Sequence, residues 1–121
     1  KRFARRLHFL HAGALIYEVP PTHGRVGRYR LHFASGATAD LELEMEEDIG
    51  EWWSSHPQSQ CRRGSVAWEG QNPAAARLAS RVRLFHRAWD NPFPDQEIVA
   101  LDLINESDTF APFVVAITLE P

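Results

Sequence analysis

Cysteine, lysine and long apolar runs are the scarce features of this 121-residue sequence. The single cysteine, Cys61, excludes an internal disulfide and any zinc site built from cysteines alone. No apolar run approaches the roughly 18 residues of a membrane-spanning helix, so we expect no membrane span. The net charge of −3 excludes the strongly basic balance of most nucleic-acid-binding domains, so we expect no nucleic-acid partner.

The composition is that of one folded domain. Hydrophobic residues make up 44% of the chain and charged residues 24%, which are ordinary values for a globular protein. A chain of this length buries enough surface to form a core without disulfides. We therefore predict a single domain over residues 1–121. Because the sequence does not begin with methionine, we expect it to be an excised, C-terminal part of a longer chain.

The charges fall into blocks of one sign. Residues 31–60 carry acidic groups and no basic ones, whereas residues 1–30 and 61–90 are mainly basic. Strands from opposite blocks would pair unlike charges across a sheet. The alternative is a surface dipole that docks a partner. We favour the first interpretation, because charge runs are usually solvated faces.

Two segments of strict alternation, 26–34 and 37–45, predict a β-hairpin. Residues 34–36 form a three-residue loop, with Gly36 at the position that needs a positive φ. A loop of odd length places residues whose numbers sum to 70 opposite each other, whereas a two-residue loop would mix the two faces. On the solvated face, Arg28 and Arg30 are then expected opposite Glu42 and Asp40. The face expected in the core contains Tyr29, Leu31, Leu41 and Leu43.

Further short strands are predicted between turns rich in glycine and proline. They cover residues 7–10, 65–69, 81–89, 97–104 and 113–120. Residues 74–80 lack the length and periodicity of a stable helix and are predicted as a loop or one turn. Six or seven short antiparallel strands with irregular connections predict an all-β fold, a β-sandwich or jelly roll.

Several motifs resemble an uncharacterised module of large secreted or envelope-associated bacterial multidomain proteins. In chain order they are LHFLHA (7–12), VGRYRLHFASG (26–36), IGEWW (49–53), VAWEGQNP (66–73), RLFHRAWDNPFPDQEI (83–98) and APFVVAITLE (111–120). The resemblance implies a galactose-binding-domain-like jelly roll, no catalytic residues, and a location that is extracellular, periplasmic or in the cell envelope. The module also has strands before its LHFLHA element that are absent here. We therefore expect that this chain alone leaves one sheet edge uncovered. An N-terminal segment, a partner chain or a second copy would then cover that edge.

The four tryptophans are the main candidates for ligand contact, because sugar-binding domains stack pyranose rings on exposed indoles. Trp52 and Trp53 are adjacent and follow the hairpin in a predicted loop, so one of them is a candidate for exposure; the alternative is that the tryptophans are core residues of the sandwich. Trp68 and Trp89 lie in or beside predicted strands and are expected to face inward. Polar partners for sugar hydroxyls are predicted at Glu51, Gln58 and Arg62.

Metal and catalytic motifs are few. Asp90, Asn91, Asp95 and Glu97 surround a proline turn and are a possible set of oxygen ligands for a structural calcium ion. Asn91 and Asp95 are equally good turn formers that bond their own backbone. His8 and His11 would point to opposite faces of a strand, which disfavours a shared metal. The chain contains no nucleophile-elbow, P-loop, zinc-protease or dinucleotide-binding motif.

These observations predict a non-catalytic accessory module rather than an enzyme. The favoured role is binding of a carbohydrate or a cell-envelope component. The alternative is a structural or protein-interaction sandwich that docks or spaces neighbouring domains.

Overall fold

The computed structural model describes residues 2–15, 24–54 and 61–121. The fold is all-β, as predicted, with one short helix. Its elements are β1 (Arg6–Leu15), β2 (Arg25–Phe33), β3 (Thr38–Glu44), β4 (Trp53–Ser54), β5 (Ser65–Gly70), α1 (Pro73–Arg77), β6 (Arg81–Asp90), β7 (Ile98–Asn105) and β8 (Phe110–Glu120).

The strands form two antiparallel sheets that face each other as a β-sandwich. The larger sheet has the order β4-β6-β1-β8, with β5 also paired to β6, and the smaller sheet has the order β3-β2-β7. Prediction and structure agree on this architecture, while jelly-roll connectivity stays a prediction. Within the described residues, no helix is long and apolar enough to cross a membrane.

The β2–β3 hairpin has the predicted register. Tyr29 lies opposite Leu41 and Arg30 lies opposite Asp40. The chain turns through residues 34–36, with the Phe33 amide donating to the Ala37 carbonyl at 3.0 Å. Gly36 has a φ of 90°, the left-handed conformation that a glycine accepts without strain. The predicted core face is buried as expected: Tyr29, Leu31, Leu41 and Leu43.

The final strand starts earlier than predicted. It was predicted over residues 113–120, but β8 begins at Phe110, and Pro112 lies opposite Gly13 of β1. Because β8 is the last strand of its sheet, proline is tolerated there: an edge strand bonds along one side only.

The segment predicted as a loop or one turn contains the short helix α1. The Asn72 side chain caps this helix by accepting a hydrogen bond from the Ala75 amide at 2.7 Å.

One flank of the sandwich, between β3 and β6, is closed by residues 45–54. Ile49 is fully buried in the main core. Asp48 is also fully buried, accepting from the Glu44 amide of β3 at 2.9 Å and from the Arg87 guanidinium of β6 at 2.8 Å. We call this side the closed flank. The opposite side, between β7 and β8, is bridged at one end by the N-terminal segment: the Ile98 amide donates to the Arg2 carbonyl, the Arg5 amide donates to the Glu120 carbonyl, both at 2.8 Å, and Ala4 is buried in the main core. The rest of this side contains a groove, and we call it the open flank.

Candidate functional site

The predicted indole platform, Trp52 and Trp53, is partly engaged in packing, and its role in ligand binding stays a prediction. Trp52 and Trp53 are each half-buried, and their rings meet edge to face with centroids 5.7 Å apart. Trp52 also meets Phe113 edge to face at 6.1 Å and packs against a small core cluster containing Phe85 and Cys61. Edge-to-face pairs of this kind add stability beyond burial. The Trp52 ring therefore secures the closed flank.

The polar partners predicted for this platform are engaged elsewhere or undescribed. The Glu51 carboxylate accepts from the Leu15 amide at 2.8 Å, and burial raises the pKa of this group. Arg62 is exposed and forms an ion pair with Glu47 at 3.1 Å. Gln58 lies outside the described residues.

Trp68 corrects a prediction. It was expected to face inward, but half of its surface is exposed (50%). The reason is its position on β5, which borders only β6, so nearly every side chain of this strand is exposed on both faces. The indole lies over Gly70, where a Cβ would come within 2.4 Å of the ring. Trp89, in contrast, packs against the main core as predicted.

The acidic turn after β6 is organised by its own hydrogen bonds. The buried Asn91 side chain donates to the Ala4 carbonyl at 2.8 Å and accepts from the Phe93 amide at 2.9 Å. Asp90 pairs with Arg6 at 2.7 Å. Within the part of the chain that the structure describes, no cluster of three or more His, Cys, Asp or Glu side chains could hold a metal ion, so Asp95 and Glu97 are not drawn into a ligand set. The Asn91 bonds match the turn-forming alternative.

A buried polar network holds the closed flank. Asp48 receives two hydrogen bonds from Arg63, at 2.9 and 2.8 Å, and one from Arg87. Burial alone would raise the pKa of Asp48, but the hydrogen bonds from Arg63 and its other donors hold it below the ordinary value. With no exposed carboxylate atom, Asp48 cannot reach a substrate and acts as a structural anchor.

Two histidines of β1 lie in different environments, as their spacing predicted. His11 is fully buried and shares hydrogen bonds with the Tyr29 hydroxyl at 2.7 Å and the Asp48 carbonyl at 2.8 Å. Burial lowers the pKa of His11 to about 4, so the ring is neutral near pH 7. Burial raises the pKa of Tyr29. Neither group is accessible, so this pair serves packing.

His8 lies on the outer face of the larger sheet and belongs to a chain of three side chains. It shares hydrogen bonds with His86 at 2.9 Å and with Glu120 at 2.8 Å. Desolvation and the neighbouring His8 and Arg87 lower the pKa of His86. Sequence reasoning missed this cluster because its members come from β1, β6 and β8.

The open flank contains a groove lined mainly by apolar side chains. This groove of about 460 Å³ runs between β7 and β8, and its lining combines apolar side chains with Arg2 and Glu97. The apolar side chains in this lining include Leu7, Ile98, Val99, Leu101, Ile117 and Leu119. Burial of such side chains by a partner would be favourable, since each 100 Å² of apolar surface removed from water contributes about 2.5 kcal/mol.

Both strands that border the groove are bulged at an exposed valine. Val99 of β7 lies between the paired residues Ile98 and Ala100 and has no partner on β2, and it is 58% exposed. Val115 of β8 likewise has no partner on β1 and is 57% exposed. Of the two, Val99 lines the groove, and an exposed apolar side chain beside an apolar groove is typical of an interaction site.

The open flank is the candidate position of the predicted uncovered edge, which stays a prediction. β7 and β8 are end strands of their sheets, and within the described residues no strand pairs with their outer edges. Sequence analysis predicted that an edge would be exposed but did not predict which one. The sequence contains a feature that could have identified this edge: residues 110–119 carry no charge, whereas edge strands that resist association usually carry charges.

Comparison with known proteins adds no relative: no protein-family model, no curated protein and no solved structure matches this chain. The likeness to a galactose-binding-like module therefore depends on the motifs alone.

Proposed function

We propose that this protein is a non-catalytic interaction module that binds an extended β-strand of another polypeptide at the open flank. The observation that carries the proposal is the uncharged outer edge of β8 beside an apolar groove. An unpaired edge offers a row of backbone donors and acceptors to an incoming strand, and the groove offers a pocket for its alternate side chains. The bound strand would be one with alternating apolar residues.

The catalytic alternative lacks a site on the described surface. His11, Tyr29 and Asp48, whose pKa values are shifted by burial and hydrogen bonding, are buried, and their hydrogen bonds are made to one another or to nearby protein groups. A catalytic group must come within hydrogen-bond reach of a substrate. This supports a binding role rather than an enzyme.

A labelled peptide tests strand binding directly. The probe is a fluorescein-labelled peptide of alternating valine and threonine with a lysine pair at each end, followed by fluorescence anisotropy. We expect saturable binding that Ile117→Asp abolishes, because a carboxylate at the groove would be desolvated by the bound strand. The matched control is Val66→Asp on β5, because Val66 (41%) and Ile117 (38%) are similarly exposed. Absence of saturable binding, or equal loss in both variants, would contradict the proposal.

Carbohydrate binding is the second candidate, and the exposed Trp68 favours it. Its indole is held flat over Gly70, and Arg81 and Glu69 form an ion pair on the same pair of strands. A fixed indole with polar neighbours is the arrangement that stacks on a sugar ring. One such platform contributes about 1–2 kcal/mol, so binding would be weak.

Titration with soluble polysaccharides, followed by tryptophan fluorescence, shows which tryptophan contacts the sugar. If the exposed indole is the platform, Trp68→Ala abolishes the response and Trp53→Ala retains it. The reverse result would restore the platform at Trp52 and Trp53. A parent protein that shows no response to any polysaccharide would remove the carbohydrate function.

A further inference from the structure

We propose that the strand bound at the open flank comes from a second copy of this chain, and that residues 116–120 of β8 pair antiparallel with the same residues of the copy. The inference rests on the proposed function, because it names the strand that this flank accepts. It assigns to the dimer a contact that continues the larger sheet from one protomer into the next.

The charges on the strand edges select β8 for self-pairing. Asp40, Glu42 and Glu44 lie on β3, Asp102 lies near the middle of β7, and Glu69 lies on β5. A second copy paired to β3, or centred on Asp102 of β7, would bring like charges close together, which is destabilising. Glu69 lies next to the end of β5 and forms an ion pair with Arg81, so charge alone does not exclude β5. Residues 110–119 of β8 carry no charge, and Ile117 and Leu119 of this strand line the groove. β8 therefore combines an uncharged edge with apolar side chains that a second copy would cover.

The bulge at Val115 determines which part of β8 pairs. Bulges bend a strand and interrupt its ladder, so the regular stretch beside the groove is residues 116–120. Antiparallel self-pairing of this stretch has its two-fold axis at Thr118, which then lies opposite the Thr118 of the copy. Threonine pairs across strands are favourable. Glu120 lies opposite an alanine, and its carboxylate is already met by Arg5 at 3.2 Å and His8 at 2.8 Å.

The same register covers the groove. Ile117 and Leu119 pair with Phe9 and Leu7 of β1, whose side chains are fully buried in the core, so all four point to the inner face of the sheet. Across the two-fold axis, Ile117 of one protomer lies opposite Leu119 of the other. Each groove therefore gains an apolar side chain from the copy, while Thr118 stays on the outer face.

The contact is small. Stable interfaces bury about 1,600 Å² in total, and one short strand pair with part of a groove buries less. We therefore expect a reversible dimer with a dissociation constant of about a micromolar or weaker.

Sedimentation velocity across a range of protein concentrations tests the dimer and its register. The variants are Thr118→Lys and Thr118→Glu, each of which brings two like charges face to face at the two-fold axis. We expect each variant alone to weaken self-association at least tenfold, and an equimolar mixture of the two to dimerise again because unlike charges then meet. Thr38→Lys places the same new charge at an exposed position of β3 and should dimerise like the wild type.

Each outcome decides between the proposals. A wild-type protein that stays monomeric at the highest concentration, or a Thr118→Lys variant that dimerises like the wild type, overturns the β8 dimer. If the alternating peptide still binds in those cases, strand binding stands and the partner is another chain. Loss of association in both variants without recovery in the mixture overturns the register centred on Thr118.

Discussion

The two flanks of the sandwich differ in how the space between the two sheets is filled. On the closed flank, residues 45–54 fill the space between the sheets with Ile49 and tie β3 to β6 through Asp48. On the open flank, β7 and β8 leave an apolar groove of about 460 Å³ between them. The chain itself fills the closed flank, whereas the open flank exposes apolar side chains that a partner strand would cover.

The difference follows from where the charges are. The acidic residues of β3 are matched by the arginines of β2, and Asp40 receives hydrogen bonds from Arg30 at 2.8 and 3.0 Å. β8 carries no charge over its first ten residues. Charged edges discourage strand addition and uncharged edges permit it. The two ends of this fold are therefore suited to different tasks, solvation on one side and association on the other.

The largest expected effect breaks the anchor of the closed flank. Asp48→Ala leaves Arg63 and the mostly buried Arg87 without their carboxylate, so we expect a loss of about 3–5 kcal/mol in the free energy of unfolding. Urea denaturation measures it. Asp102→Ala on the open flank removes an exposed carboxylate and should cost far less. Equal losses in the two variants would show that the flanks are not held differently.

A pair of identical substitutions sharpens the comparison. Ile49→Ala empties a fully buried position on the closed flank and should cost about 2–5 kcal/mol. Ile117→Ala on the open flank removes a side chain that is already partly exposed, so less than half of that loss is expected. Both are measured by urea denaturation at a concentration where the protein is monomeric. A larger loss for Ile117→Ala would contradict an open groove in the monomer.

The pH dependence of stability comes next. The pKa of His11 is about 4 in the folded chain against 6.5 for the ordinary side chain, so the unfolded chain binds its proton more readily. This contribution is fully present above pH 6.5 and is lost as the pH falls from 6.5 towards 4, up to about 3 kcal/mol. Urea denaturation at stepped pH should give a steeper slope for the wild type than for His11→Gln. Parallel slopes would refute the neutral, buried ring.

The smallest expected effect concerns the solvated face of the hairpin. Exchanging the partners, Arg30→Asp together with Asp40→Arg, keeps an unlike pair on a solvent-exposed face, where ion pairs contribute little. The thermal unfolding midpoint should hardly change. A large drop would mean that this face is covered, and the contrast with the apolar open flank would fail.

Local pattern accounts for what the sequence could predict. The register of the β2–β3 hairpin followed from two alternating segments and a loop of odd length, because these features are neighbours in the chain. Its consequence, Tyr29 and Leu41 in the core and Arg30 beside Asp40, needed no knowledge of the rest of the fold. The expectation of an uncovered edge came from a resemblance rather than from alternation, and it stays a prediction.

Contacts between distant segments account for what the sequence could not predict. The Asp48 anchor joins residues that are 15 and 39 positions away. Trp68 was expected to be inward because alternation gives every strand residue a direction. Alternation does not say whether a second sheet covers that direction, and over β5 none does.

Hydrogen–deuterium exchange at low and high protein concentration is the most direct test of the open flank. The account predicts that amides of residues 116–120 become more protected as the concentration rises, or when the alternating peptide is added at low concentration. Amides of Thr38–Glu44 in β3, the acidic edge, should exchange at the same rate throughout. Unchanged exchange at residues 116–120 under both conditions, or equal protection of β3, would contradict the claim that β8 is the edge built for a partner strand.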